Sequence, residues 1–88
     1  MIHSLQSKKR VLRQLKISLG QLKHTMEMVR KKKYCLDIVH QTGAIRGAMK
    51  RVNGLIIRDY LENYVADLIA SGKSAEATNE IMRIFKYG

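Results

Sequence analysis

Val11, Leu12, Leu15, Leu19, Leu22, Met26 and Val29 recur at three- and four-residue steps with polar and charged residues between them. That is the spacing of one face of an α-helix. Ser4 stands where an N-cap hydroxyl belongs, and Lys31, Lys32 and Lys33 stand where cations complement the C-terminal end of a helix dipole. The pattern predicts a first helix over 4–32. A second run, from Ile38 through Ile45, Ala48, Met49, Val52, Leu55, Ile56, Leu61, Val65 and Leu68 to Ile69, predicts one long helix over 35–70. Gly43, Gly47 and Gly54 cost that helix about 1 kcal/mol each relative to alanine. Gly43 and Gly47 share a face and would admit another helix at close range. Ser71-Gly72-Lys73-Ser74 is the clear linker, with Ser74 placed to cap a last helix over 75–87 that carries Ala77, Ile81, Ile84 and Phe85.

At 1.5 Å per residue the two long helices would measure about 43 and 53 Å. Apolar stripes of that length cannot both be buried within one chain of 88 residues. The expected fold is therefore all-α, with three helices in a single domain and an intertwined dimer sharing a four-helix core. No strand-like alternation or internal repeat competes with that reading. No apolar run approaches the roughly 20 residues that span a bilayer, so no membrane association is expected. The start, from Met1 to Arg10, lacks the apolar segment of a signal peptide. Cys35 is the single cysteine, which excludes an internal disulfide framework and fits a reducing cytoplasm.

Charge sharpens the picture. The net charge is +10, of which residues 1–34 hold +9 (ten Lys/Arg against Glu27), residues 35–73 hold +1, and the remainder balances. A basic third on a nearly neutral body is built to meet a polyanion. Lys9, Arg13 and Lys16 follow one helical stripe, and Arg46 and Lys50 a second. Aligned across an oligomer, such stripes would track the phosphates of double-stranded DNA. No helix-turn-helix, zinc finger or β-ribbon reader is present, so recognition would rest on backbone contacts and DNA shape. The competing readings are a nonspecific, nucleoid-like DNA binder, a solvated surface, or a helical interaction module acting by heteromerisation.

Catalysis finds no support. His3, His24 and His40 lie in separate segments, without a nucleophile, paired carboxylates or a phosphate loop near them. His24 reads as a surface residue and His40 as a polar residue at a helix interface. The one cofactor the residues leave open is a metal ion at a degenerate site.

Several short patterns together carry a family resemblance. They are Gly20-Gln21 late in a basic helix, Tyr34-Cys35-x-Asp37 at the start of the next, Gln41-x-x-Ala44-Ile45-Arg46-Gly47-Ala48, then Asn53-Gly54-Leu55 and Leu61. In these the chain resembles the CsoR/RcnR/FrmR family of small helical repressors, which sense copper, nickel or cobalt, formaldehyde, or persulfide. The resemblance implies a dimer with an antiparallel four-helix core, paired into a tetramer. It also implies repression by the ligand-free protein and release from the operator by ligand. By position, Lys8, Lys9, Arg10, Lys16 and Arg46 would contact DNA. Gln14 stands where many members have arginine, leaving Arg13 to compensate or the affinity to fall.

The sensor pattern departs from the family. Members join Cys35 of one subunit to positions 60 and 64 of the other. Copper sensors carry His and Cys there, and nickel sensors carry His at both, with His3 as well. This chain keeps Cys35 and His3 but has Tyr60 and Tyr64. Tyrosine, with a pKa of about 10, is a poor ligand for soft Cu(I). Ile2 replaces the proline of formaldehyde sensors, and the second cysteine of persulfide sensors is absent. Three readings of Cys35 stay open: a residue packed at the dimer interface, a one-cysteine redox or electrophile sensor, or part of an unfamiliar metal site with His3. Tyr60 and Tyr64 are expected to be buried packing residues whose hydroxyls reach into the ligand space.

Overall fold

The computed structural model describes residues 2–87, which form α1 (Leu5–Arg30), α2 (Cys35–Tyr60), a π-helical turn (Leu61–Val65), α3 (Ala66–Ala70) and α4 (Ser74–Tyr87). Tyr60 and Ala66, at the two joints of the π-helical turn, keep right-handed helical dihedrals. The stretch from Cys35 to Ala70 is thus one continuous rod with a single wider turn inside it. No strand occurs among the described residues, and no described helix is long and apolar enough to cross a membrane.

Local chemistry sets the ends. The Ser4 hydroxyl accepts the Ser7 N–H at 3.3 Å and starts α1. The helix closes at Arg30, short of the expected 32, because the chain turns through Lys32 at φ 55°. There the Lys33 N–H returns to the Met28 carbonyl at 2.9 Å, the 6→1 bond that ends many helices. A lysine in this left-handed region costs about 1–2 kcal/mol. Gly72, at φ 76°, makes the same turn after α3 without that cost, with Lys73 N–H on the Leu68 carbonyl at 2.8 Å. Ser74 is the first residue of α4 rather than its cap, and the Lys73 carbonyl accepts the Ala77 N–H at 3.0 Å.

A four-residue connection folds α1 and α2 into an antiparallel hairpin. Its seam is read in seven-residue steps: Val11, Ser18 and Thr25 on α1, and Ile45, Val52 and Asp59 with Ala48 on α2, all buried. Seven-residue steps keep one stripe facing a partner helix. The side chains that permit close approach are Ser18 at 2% exposure and Ala48 at 1%. The glycines do not serve this purpose. A Cβ added at Gly43 would meet nothing within 4 Å, and at Gly47 only the Arg51 side chain.

The large apolar residues of α1 lie elsewhere. Leu12, Leu15, Leu19, Leu22, Met26 and Val29 are between 40% and 57% exposed. On a helix of 3.6 residues per turn, that stripe sits roughly a quarter turn from the seam. Leu36 and Val39 on α2 are exposed as well. At the other end of the rod, α4 folds back on the π-helical turn and α3, burying Val65, Leu68 and Ala77 with Tyr60 and Ile81 against them. The result measures 57 × 26 × 13 Å, and the shortest extent is about one helix diameter. The accessible surface is 7158 Å², against about 5,300 Å² for a folded monomer of this mass.

Candidate nucleic-acid interface and sensor positions

The α1/α2 seam has two flanks. One carries the apolar stripe and a groove of roughly 550 Å³ lined by Ile2, Val11, Leu12, Leu15 and Ile56. The other is basic. There, adjoining depressions between the helices are lined by Arg10, Arg13 and Gln14 from α1 and by Arg51, Gly54 and Arg58 from α2. The groove is open at Gly54, where an added Cβ would have no neighbour within 4 Å. Glu62 pairs with Arg58 at 2.8 Å and raises its pKa through that hydrogen bond and opposite charge.

The basic residues expected from the sequence therefore divide. Arg10 and Arg13 line the groove, while Lys9, Arg13 and Lys16 share a shallow depression on the outward side of α1. Arg46 and Lys50 are exposed on α2. Lys8 sits apart, at the edge of the apolar groove. Arg51 and Arg58 were not among the expected contacts. Their signal was their seven-residue separation around Asn53-Gly54-Leu55, which puts both on one face of α2.

The positions of sensor interest gather at the far end of the rod, where the π-helical turn lies between Tyr60 and Ala66. Such turns are frequent at functional sites. The Tyr60 and Tyr64 rings lie 5.5 Å apart at an interplanar angle of 40°, and the His3 ring stacks on Tyr64 at 6.4 Å and 5°. The Tyr60 hydroxyl donates to the Glu80 carboxylate, which also meets Arg83 at 3.6 Å. Both were expected to be buried, but Tyr60 is only half-buried and Tyr64 is 38% exposed, in a layer one helix thick. Cys35 is exposed at the opposite end of α2. Twenty-five residue steps along a helix separate it from Tyr60, about 38 Å, so one chain cannot bring the two together. His24 and His40 are both exposed. Among the described residues no three His, Cys, Asp or Glu side chains cluster as metal ligands would.

Two carboxylates that the sequence reading passed over organise this end. Glu80 holds Tyr60. Asp59, only 2% exposed, accepts the backbone N–H of His3 at 2.8 Å and of Ser4 at 3.0 Å. Asn63 adds its amide to the Asp59 carboxylate at 3.2 Å and to the Asp59 carbonyl at 2.8 Å. The His3 N–H above all, and after it the Ser4 N–H and the Ser7 hydroxyl, hold the Asp59 carboxyl below the usual carboxylate range against the opposing effect of burial. The available signal was an acid seven residues beyond Val52, on the buried seam.

Residues 7–87 match the family of metal-sensitive transcriptional repressors. The copper-sensing transcriptional repressor CsoR of Bacillus subtilis (strain 168) is 35% identical over 83 residues, covering 94% of this chain and 82% of that protein. CsoR of Mycobacterium ulcerans (strain Agy99) is 28% identical over 88 residues, covering 99% and 75%. Among solved structures, the copper-sensing repressor CsoR with Cu(I) from Geobacillus thermodenitrificans NG80-2 superposes with a TM-score of 0.87 at 25% identity, over 99% of this chain and 91% of that one.

Because folding lowers the Asp59 pKa, its contribution to stability is complete above the ordinary aspartate value of about 4. It fades as pH falls through the lower folded value. The urea midpoint of the native protein should therefore drop more steeply from about pH 5 to about pH 2 than that of Asp59→Asn. Identical acid slopes for the two proteins would contradict the assignment.

Proposed function

The chain belongs to the family of metal-sensitive transcriptional repressors, and from that membership we propose that it represses by laying its basic flank along the phosphates of an operator. The observation that carries this reading is the groove in which Arg10, Arg13, Arg51 and Arg58 converge from two helices beside the outward Lys9 and Lys16. Arginine forks on phosphate oxygens release condensed counterions, and Gln14 adds a neutral donor. With no reading helix, operator choice rests on duplex shape. The relatives are named as repressors, in keeping with a non-enzymatic role in the cytoplasm. Log affinity for the duplex upstream of its own gene should fall by about 0.9 per neutralised phosphate in log salt. Arg51→Ala with Arg58→Ala should reduce that slope by about 2. Equal affinity for unrelated duplexes would instead mark a nucleoid-like binder.

The active form is proposed to be a dimer or a pair of dimers. A layer one helix thick with six large apolar side chains in register requires a second layer. The excess surface, about 1,900 Å² per chain over a folded monomer of this mass, is about 3,800 Å² for a pair of chains, within the range of obligate homodimer interfaces. Leu19→Glu with Leu22→Glu should yield monomers by light scattering. An unchanged mass would refute this face as the interface.

The copper response of the relatives is proposed to be lost. Cu(I) favours thiolates over phenols, and the Tyr60 hydroxyl is already engaged by Glu80. The residues present do not fit Cu(I). Cys35, flanked by exposed Tyr34 and Leu36, is read as an interface residue covered by the second copy. Competition against a strong Cu(I) chelator should show no stoichiometric uptake. Tight uptake that depends on Cys35 would overturn this reading.

A further inference from the structure

The start of α1 is electrostatically adverse. Its first turn has no acidic residue, and Lys8, Lys9 and Arg10 follow within the second. Cations near a helix N-terminus oppose the positive end of the dipole. With no acid of its own there, this start would fray, and the basic side chains it carries would be spread over many orientations. Yet the structure holds it in place, and the missing negative charge arrives from another helix. Asp59 is buried against this end, with one carboxylate oxygen on the His3 N–H and the other on the Ser4 N–H. Ser4 is the residue whose hydroxyl caps α1 and whose carbonyl accepts the Lys8 N–H at 3.0 Å. Asn63, from the π-helical turn, steadies the same carboxylate.

We infer that Asp59 is a positioning residue for DNA binding, acting as the distant N-terminal anchor of α1 that aims Lys9 and Arg10. The inference rests on the DNA-binding reading above for its readout, though not for its geometry. A polar pocket of roughly 350 Å³ beside the anchor is lined by Ser4, Ser7, Arg10, Arg58, Glu62 and Asn63. Arg10 therefore enters the basic groove from the turn that Asp59 holds. The anchor also touches the sensor end, because the His3 whose N–H it binds stacks its ring on Tyr64. Whatever moves His3 on Tyr64 pulls on the backbone that places Arg10.

The test uses the full chain and Asp59→Asn, which removes the charge and sets an amide group against a backbone N–H. In the protein without DNA, amide exchange should speed up at Lys8, Lys9 and Arg10 while Val52, Val65 and Leu68 keep their protection. Unchanged exchange at the first three overturns the anchor whether or not DNA binds. On DNA, Asp59→Asn should weaken affinity roughly tenfold or more and lower the salt slope by about 2. Partial unfolding alone would reduce the active fraction and leave the slope intact. In a Lys9→Ala, Arg10→Ala background the Asp59→Asn effect should vanish, and its full persistence there overturns the proposal. Should wild type not bind DNA, the repressor reading fails and the exchange result alone decides the anchor. If Asp59→Asn does not fold, Asn63→Ala, which keeps the charge but frees the carboxylate to turn, should shift exchange and slope in the same direction by less. No shift in that variant overturns the proposal.

Discussion

The seam between α1 and α2 intersperses Val11, Ile45 and Val52 with the smaller Ser18, Thr25 and Ala48, and the consequence is a protein one helix thick. Ser18, Thr25 and Ala48 let the two helices approach closely, so the hairpin uses little of its apolar surface to hold itself together. Leu12 through Val29 are thereby left in a continuous row on a neighbouring face. A layer about one helix diameter deep has no interior of its own. The proposed second copy is the physical answer to that geometry.

The same seam sorts chemistry to its two flanks. Seven-residue steps on both helices hold one relative orientation along the hairpin, so residues in a given register stay on a given side over many turns. The apolar row falls on one side. Arg10 and Arg13 fall with Arg51 and Arg58 on the other. The proposed polyanion and second subunit thus meet mainly different flanks, with Leu12 and Lys8 at the border between them. Asp59 joins these roles, since its buried carboxylate lies on the seam, ends it, and holds the start of the basic helix.

At the far end of the rod, positions that in the resembling family hold metal ligands carry phenols tied into local packing. Tyr60 is spent on Glu80 and Tyr64 on His3. That arrangement stabilises the docking of α4 on the rod and leaves no soft donor at the π-helical turn. The fold matches that of a copper-sensing repressor, and the phenols at the π-helical turn are what the proposed loss of the copper response rests on.

Apolar periodicity by itself determined that the chain is all-helical, that its middle helix is long, and that its apolar face exceeds what one chain can cover. These follow from local spacing, which a helix converts directly into faces. The short patterns around Cys35 and Arg46 carried the family. The face that packs within the chain was decided only in three dimensions, because the leucine row and the Val11-Ser18-Thr25 row are both regular and only close approach chooses between them. Lys8 parted from Arg10, and Arg51 and Arg58 joined it, for the same reason: a groove belongs to two helices at once. Asp59 was the least legible residue. Its partners are the backbone N–H groups of His3 and Ser4, more than fifty residues earlier in the chain, and every residue has such groups until the fold selects which of them a buried carboxylate will meet.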